Sequence, residues 1–159
     1  YKKYRDHIIR KPEVKTTIIS TVSNLSIFSI PELLDFYEEN DFFVRSQVSF
    51  QFVENRDLNP YHLPLELRQE ISNKILNKLD QIKIDYIEPL NLRAMMTDIV
   101  KNYEDYPQKY KNQAEKNIMH PLKAFVARTK TLDKLRNQSI DSIDTYGYFK
   151  RIENYANTL

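Results

Sequence analysis

Polar residues close both of the apolar runs in this chain. Ser20, Thr21, Ser23 and Asn24 close the first run; Gln51, Glu54, Asn55 and Arg56 close the second. His62 stands on the next loop. If the runs are parallel strands, these residues stand at the carboxyl ends, where α/β folds bind ligands. The chemistry on offer is ligand recognition, and no residue is singled out as catalytic. The same residues serve equally well as ordinary loop caps. Arg45 and Gln47, near the start of the second run, belong to the opposite, structural end.

Other constellations have plainer explanations. The three histidines, His7, His62 and His120, do not stand four apart with another ligand, as a helical metal motif requires. No metal site is therefore expected. Asp35, Glu38, Glu39 and Asp41 could serve acid–base work or a cation, but a solvated helix face accounts for them better. Tyr103, Tyr106 and Tyr110 alternate with Lys109 and Lys111, a mixture seen in single-strand nucleic-acid binders. Their helical spacing favours core packing, and Met95-Met96 reads as core filler.

Composition narrows the chemistry further. The chain has no cysteine, so disulfides, a thiol nucleophile and cysteine-held zinc or iron–sulfur clusters are excluded within it. A single glycine, Gly147, excludes Gly-rich phosphate loops. A net charge of +2 gives no reason to expect nucleic acid. No apolar run approaches the ~20 residues of a membrane span, and the first residues lack a signal-peptide core. A cytoplasmic protein is expected. At 159 residues, one domain is expected.

Strand, helix and strand must position the polar ends. Thr16 to Val22 is rich in β-branched residues, and Ile18, Ile19 and Val22 suggest a strand covered on both faces. Ser29 and Glu32 read as a capping box, with Phe28 and Leu33 at the staple positions. Leu33, Leu34, Phe36 and Tyr37 form the inward face of the helix. Phe43 to Val53 reads as the second strand. Such a unit requires a parallel pair with a right-handed crossover.

The remainder is helical. Leu67, Ile71, Ile75, Leu79 and Ile82 form one stripe. Leu92, Met95, Met96, Ile99 and Tyr103 line a helix starting near Pro89. A long helix carries Tyr110, Ala114, Ile118, Leu122 and Phe125, continued by Leu132 and Leu135, with Pro121 kinking or breaking it. A short helix ends the chain, and residues 1–10 suit another. The fold class is α/β: two parallel strands over about 15–53, then a helical region. Residues 1–56 and 57–159 are the two parts of one domain. Two strands alone are marginal and leave edges unpaired. The sheet is therefore expected to be completed by strands outside this chain or by a second copy.

Residues 16–24, with Ile-Pro-Glu-Leu-Leu-Asp-Phe-Tyr at 30–37, resemble the fifth strand and helix of radical S-adenosylmethionine enzymes with a SPASM or twitch region. Phe43–Val53 resembles their sixth strand. Asn59-Pro60-Tyr61-His62-Leu63-Pro64 resembles the segment after the sixth strand in phage-type members, and 131–139 resembles their ending. The resemblance implies the carboxyl-terminal half of a partial (β/α) barrel. The family's three-cysteine motif and auxiliary-cluster cysteines are absent, so such a half is inactive alone. A full-length parent would hold a 4Fe–4S cluster and S-adenosylmethionine, and would abstract hydrogen from a peptide or protein. Ser20, Thr21, Ser23 and Asn24 would then lie near the cofactor, and Gln51, Arg56 and His62 nearer the substrate. The alternative is a small α/β binding or assembly module that self-associates through its sheet edge.

Overall fold

The computed structural model describes residues 16–40, 46–82, 91–101, 120–142 and 144–159. Strand β1 is Thr16–Val22, helix α1 is Ile30–Glu39 and strand β2 is Ser46–Phe52. Helices α2 (Leu65–Gln81), α3 (Leu92–Ile99), α4 (Pro121–Arg136) and α5 (Tyr148–Ala156) come after them. The fold is mixed α/β and mostly helical. β1 and β2 pair in parallel, from Thr16 opposite Ser46 to Val22 opposite Phe52, as the strand–helix–strand pattern requires. No described helix is long and apolar enough to cross a membrane.

Among the described residues the sheet is covered on one face. Val22, Val48 and Phe50 are buried, with Ile18 and Phe52 packed beside them. The alternate residues Thr17, Ile19, Thr21, Gln47 and Gln51 are exposed, Ile19 by 61%. Strand side chains alternate between faces, and the described helices lie on one side only. The expected second covered face is not found among the described residues.

Helix α1 begins differently from its sequence signature. Ser29 is the N-cap, but its side chain makes no capping hydrogen bond. A 3₁₀ turn over Ser26–Ser29 runs directly into α1 and leaves Ser29 at φ −96°, ψ 4°. A capping side chain needs extended backbone at that position. Pro31, in the first turn, needs no partner for a missing N–H. The helix buries Ile30, Leu34 and Tyr37, while Phe36 stands 49% exposed at the flank.

The α2 stripe of Leu67, Ile71, Ile75 and Leu79 is buried, and Ile82 just beyond it also enters the core. Leu92, Met96 and Ile99 of α3 are fully buried. Pro121 opens α4, in keeping with a break at that residue. His120 is the N-cap, and its Nδ1 accepts from the Leu122 amide at 3.3 Å. Only the start of α4 reaches the core, through Leu122, Phe125 and Val126. Leu132 and Leu135, expected on that stripe, are exposed because the helix runs out past the core. The expectations for residues 1–15, 41–45, 83–90, 102–119 and 143 lie outside the described residues, the Tyr103–Lys111 cluster among them.

Candidate functional site

The seven candidate residues fall into three places. Ser20, Ser23 and Asn24 are bound to the chain itself. The Ser20 hydroxyl bonds the Tyr37 hydroxyl at 2.9 Å, on the helix-covered side of the sheet. Ser23 and Ser26 cap each other's amides: Ser23 N–H donates to Ser26 Oγ, and Ser26 N–H to Ser23 Oγ. Asn24 is fully buried. Its amide donates to the Leu58 carbonyl at 2.8 Å and its Nδ2 to the Asp57 carbonyl at 3.0 Å. Its Oδ1 is buried without a hydrogen-bond partner among the described residues.

Asn24 thus ties the loop after β1 to the loop after β2. The Val53 amide donates to the Val22 carbonyl, and Asn59 Nδ2 donates to the Val53 carbonyl. The Asn55 side chain caps the Arg56–Leu58 turn, and the Asn59 side chain caps the Pro60–His62 turn. Asparagine suits these positions because its short carboxamide can bond backbone two residues on.

The second place is the open sheet face. Thr21 stands opposite Gln51 in the parallel register, and both are exposed. Around them lie Thr17, Ile19, Gln47 and Ser49, in the pairs Thr17–Gln47 and Ile19–Ser49. This face offers hydroxyls and carboxamides with one large apolar side chain.

The third place gathers Arg56, His62 and His120. The imidazole rings of His62 and His120 meet edge to face, with centroids 6.4 Å apart. Burial first, then the neighbouring His120, Arg56 and Arg68, push His62 down to about 4. His120 is lowered as well, by burial and then by Arg56 and Lys123. Both rings are therefore neutral near pH 7. The cationic neighbours disfavour a metal cation, and no group of three or more metal-ligating His, Cys, Asp or Glu occurs among the described residues.

Sequence patterns missed three residues that shape this region. Arg68 is buried beside the α2 stripe and donates to the carbonyls of Leu63, Ile99 and Lys101 at 2.7–2.9 Å. Ser72, one turn on, donates to the Met96 carbonyl. Their spacing of four, immediately after Leu67 and Ile71, is the signal that could have revealed them. Asn91 precedes α3: Phe50 N–H donates to its Oδ1 at 3.0 Å, and its Nδ2 donates back to the Phe50 carbonyl. That bond occupies the edge of β2 facing away from β1. No comparable cap occurs on the outer edge of β1 among the described residues.

No family model, curated protein or solved structure matches this chain.

Proposed function

We propose that this chain forms the carboxyl-terminal part of a larger partial (β/α) barrel, belonging to a radical S-adenosylmethionine enzyme that acts on a peptide or protein. The observation that carries the barrel reading is the half-covered parallel pair. Parallel sheets occur almost only with both faces covered, yet the described helices lie on one face and the other presents Thr21 and Gln51. In a barrel that second face is the interior, and ligands are held at its carboxyl-terminal end. The edges agree with this placement. Asn91 closes β2, so further strands add beside β1, and β2 is the last strand. The radical chemistry rests on the resemblance of residues 16–24, 30–37 and 43–53 to the fifth and sixth strands of that family. The 4Fe–4S cluster would be held by the remainder of the enzyme, since this chain has no cysteine. The absence of cysteine also suits the cytoplasm.

In this reading Thr21 and Gln51 border the cofactor and substrate space, and Arg56 and His62 lie at its rim. Ser20, Ser23 and Asn24 shape the strand ends through hydrogen bonds within the chain. The test is the reading frame ahead of Tyr1 and the protein it encodes. A Cys-x-x-x-Cys-x-x-Cys motif in frame is expected. After anaerobic reconstitution with iron and sulfide, the full product should cleave S-adenosylmethionine to 5′-deoxyadenosine. An upstream frame without that motif sinks the proposal.

Ile19 favours a second reading. Its 61% exposure at the centre of the open face suits burial against a second copy of the chain. Sedimentation at rising concentration separates the two. A dimer that Ile19→Lys dissolves supports self-association, and a monomer at all concentrations excludes it.

A further inference from the structure

A groove of about 370 Å³ lies between α1, α2 and the loop leading into α5. It is separate from the sheet ends and from the histidine pair. Its floor is a ring stack: Tyr148 lies flat on Phe28, with centroids 3.9 Å apart and planes 13° from parallel. Tyr146 leans over Tyr148 at 6.0 Å and is itself 64% exposed. The Tyr146 hydroxyl donates to Glu32 Oε1 at 2.9 Å, bridging the loop to the first turn of α1. The next residue, Gly147, has φ +69° with open space around its Cα, so the loop turns there without steric cost.

One face of α2 forms the wall. Lys74, Asn77 and Gln81 are spaced at three and four residues, so they line up along the groove. The Lys74 ammonium donates to the Tyr148 hydroxyl at 2.6 Å and to Glu70 Oε1 at 2.9 Å, and lies 5.3 Å from the Tyr148 ring centroid. Those bonds fix its position and raise its pKa, keeping it cationic. Glu70 is held in turn by Arg151 at 2.7 Å.

We propose that this groove binds a purine mononucleotide. Three features select that class. An exposed tyrosine ring is a stacking platform for any base. The Asn77 and Gln81 carboxamides each pair a donor with an acceptor, the pattern that reads the N6/N7 edge of adenine. Lys74, held by Glu70 and Tyr148 at one end of the row, is the cation that a phosphate would share with Glu70. The volume of about 370 Å³ is on the scale of one nucleotide. This site is independent of the barrel reading, and either can fail alone.

Titration calorimetry with AMP, adenosine and glucose tests it on the chain as it stands. AMP should bind, adenosine more weakly and glucose not at all. Tyr146→Ala should weaken AMP about tenfold, the low end of base–aromatic stacking. Gln81→Leu, on an exposed helix position, should weaken AMP but leave the far-ultraviolet circular dichroism unchanged. Lys74→Met should abolish the preference for AMP over adenosine. The proposal is overturned if AMP does not bind, if Tyr146→Ala and Gln81→Leu bind AMP like the parent, or if glucose competes with it. The last outcome would make the groove a carbohydrate site.

Discussion

Asn91 holds Phe50 by both of its backbone groups, as a neighbouring strand would. The amide of Phe50 donates to Oδ1 at 3.0 Å, and Nδ2 returns a bond to the carbonyl. A side chain ahead of α3 thereby ends the sheet at β2. Two hydrogen bonds to a buried strand residue contribute about 2 kcal/mol together. Asn91→Ala should lower stability by that amount and expose the β2 edge to other chains. Urea melts and light scattering check the two effects separately. Unchanged stability would show that the carboxamide does not seal the edge.

Arg68 should matter more than any exposed cation. Its guanidinium joins the end of the loop before α2 to the last turn of α3 through three carbonyls. Cations favour that end of a helix. Arg68→Met leaves those carbonyls unpaired and should cost about 3 kcal/mol or more. Arg68→Lys should recover only part, because an ammonium lacks the planar fork that spans them. Full recovery by lysine in chemical denaturation would contradict this account.

Acid should destabilise the fold in two stages. His62 titrates at about 4 when folded against 6.5 ordinarily. The unfolded chain therefore takes up a proton first, so the contribution is complete above pH 6.5 and is lost as pH falls towards 4. The limit is about 3 kcal/mol. His120, also lowered, acts in the same direction. Glu70, pushed down from 4.5 to about 2 chiefly by its bond to Lys74, loses its contribution below that, between 4.5 and 2. His62→Gln should flatten stability between pH 7 and pH 5 in urea melts. An unchanged slope would assign the upper stage elsewhere.

Thr21→Val and Gln51→Leu change exposed residues on an unpacked face. Each should alter stability of this chain by no more than about 0.5 kcal/mol. In the complete enzyme of the proposed function, the pair should lower turnover strongly. Equal turnover in the double variant would remove these two residues from the ligand space.

Much of the architecture was legible because hydrophobic period and turn chemistry agree. Thr16–Val22 is readable from its β-branched residues, and the Leu34 and Tyr37 side of α1 and the α2 stripe from Leu67 to Leu79 from their spacing. The parallel pairing is required by the crossover. Ser29 misled because capping depends on its backbone angles, which the preceding 3₁₀ turn sets. Pro121 was legible as a break, and it opens α4, where its missing N–H needs no partner. Of the polar strand ends, only their location was readable. Whether Asn24 faces a ligand or the Asp57 and Leu58 carbonyls depends on how two distant loops meet. The pairing of His62 with His120 and of Asn91 with Phe50 likewise spans long stretches of chain.

With one glycine in 159 residues, this chain makes its corners from carboxamides. Asn24, Asn55, Asn59 and Asn91 each bind backbone that a freer residue would leave to water. The usual map of mutational tolerance should therefore be partly inverted. In a saturation screen that reads only the stability of this chain, loop asparagines should resist replacement, while the exposed strand positions Thr17 and Gln47 accept most side chains.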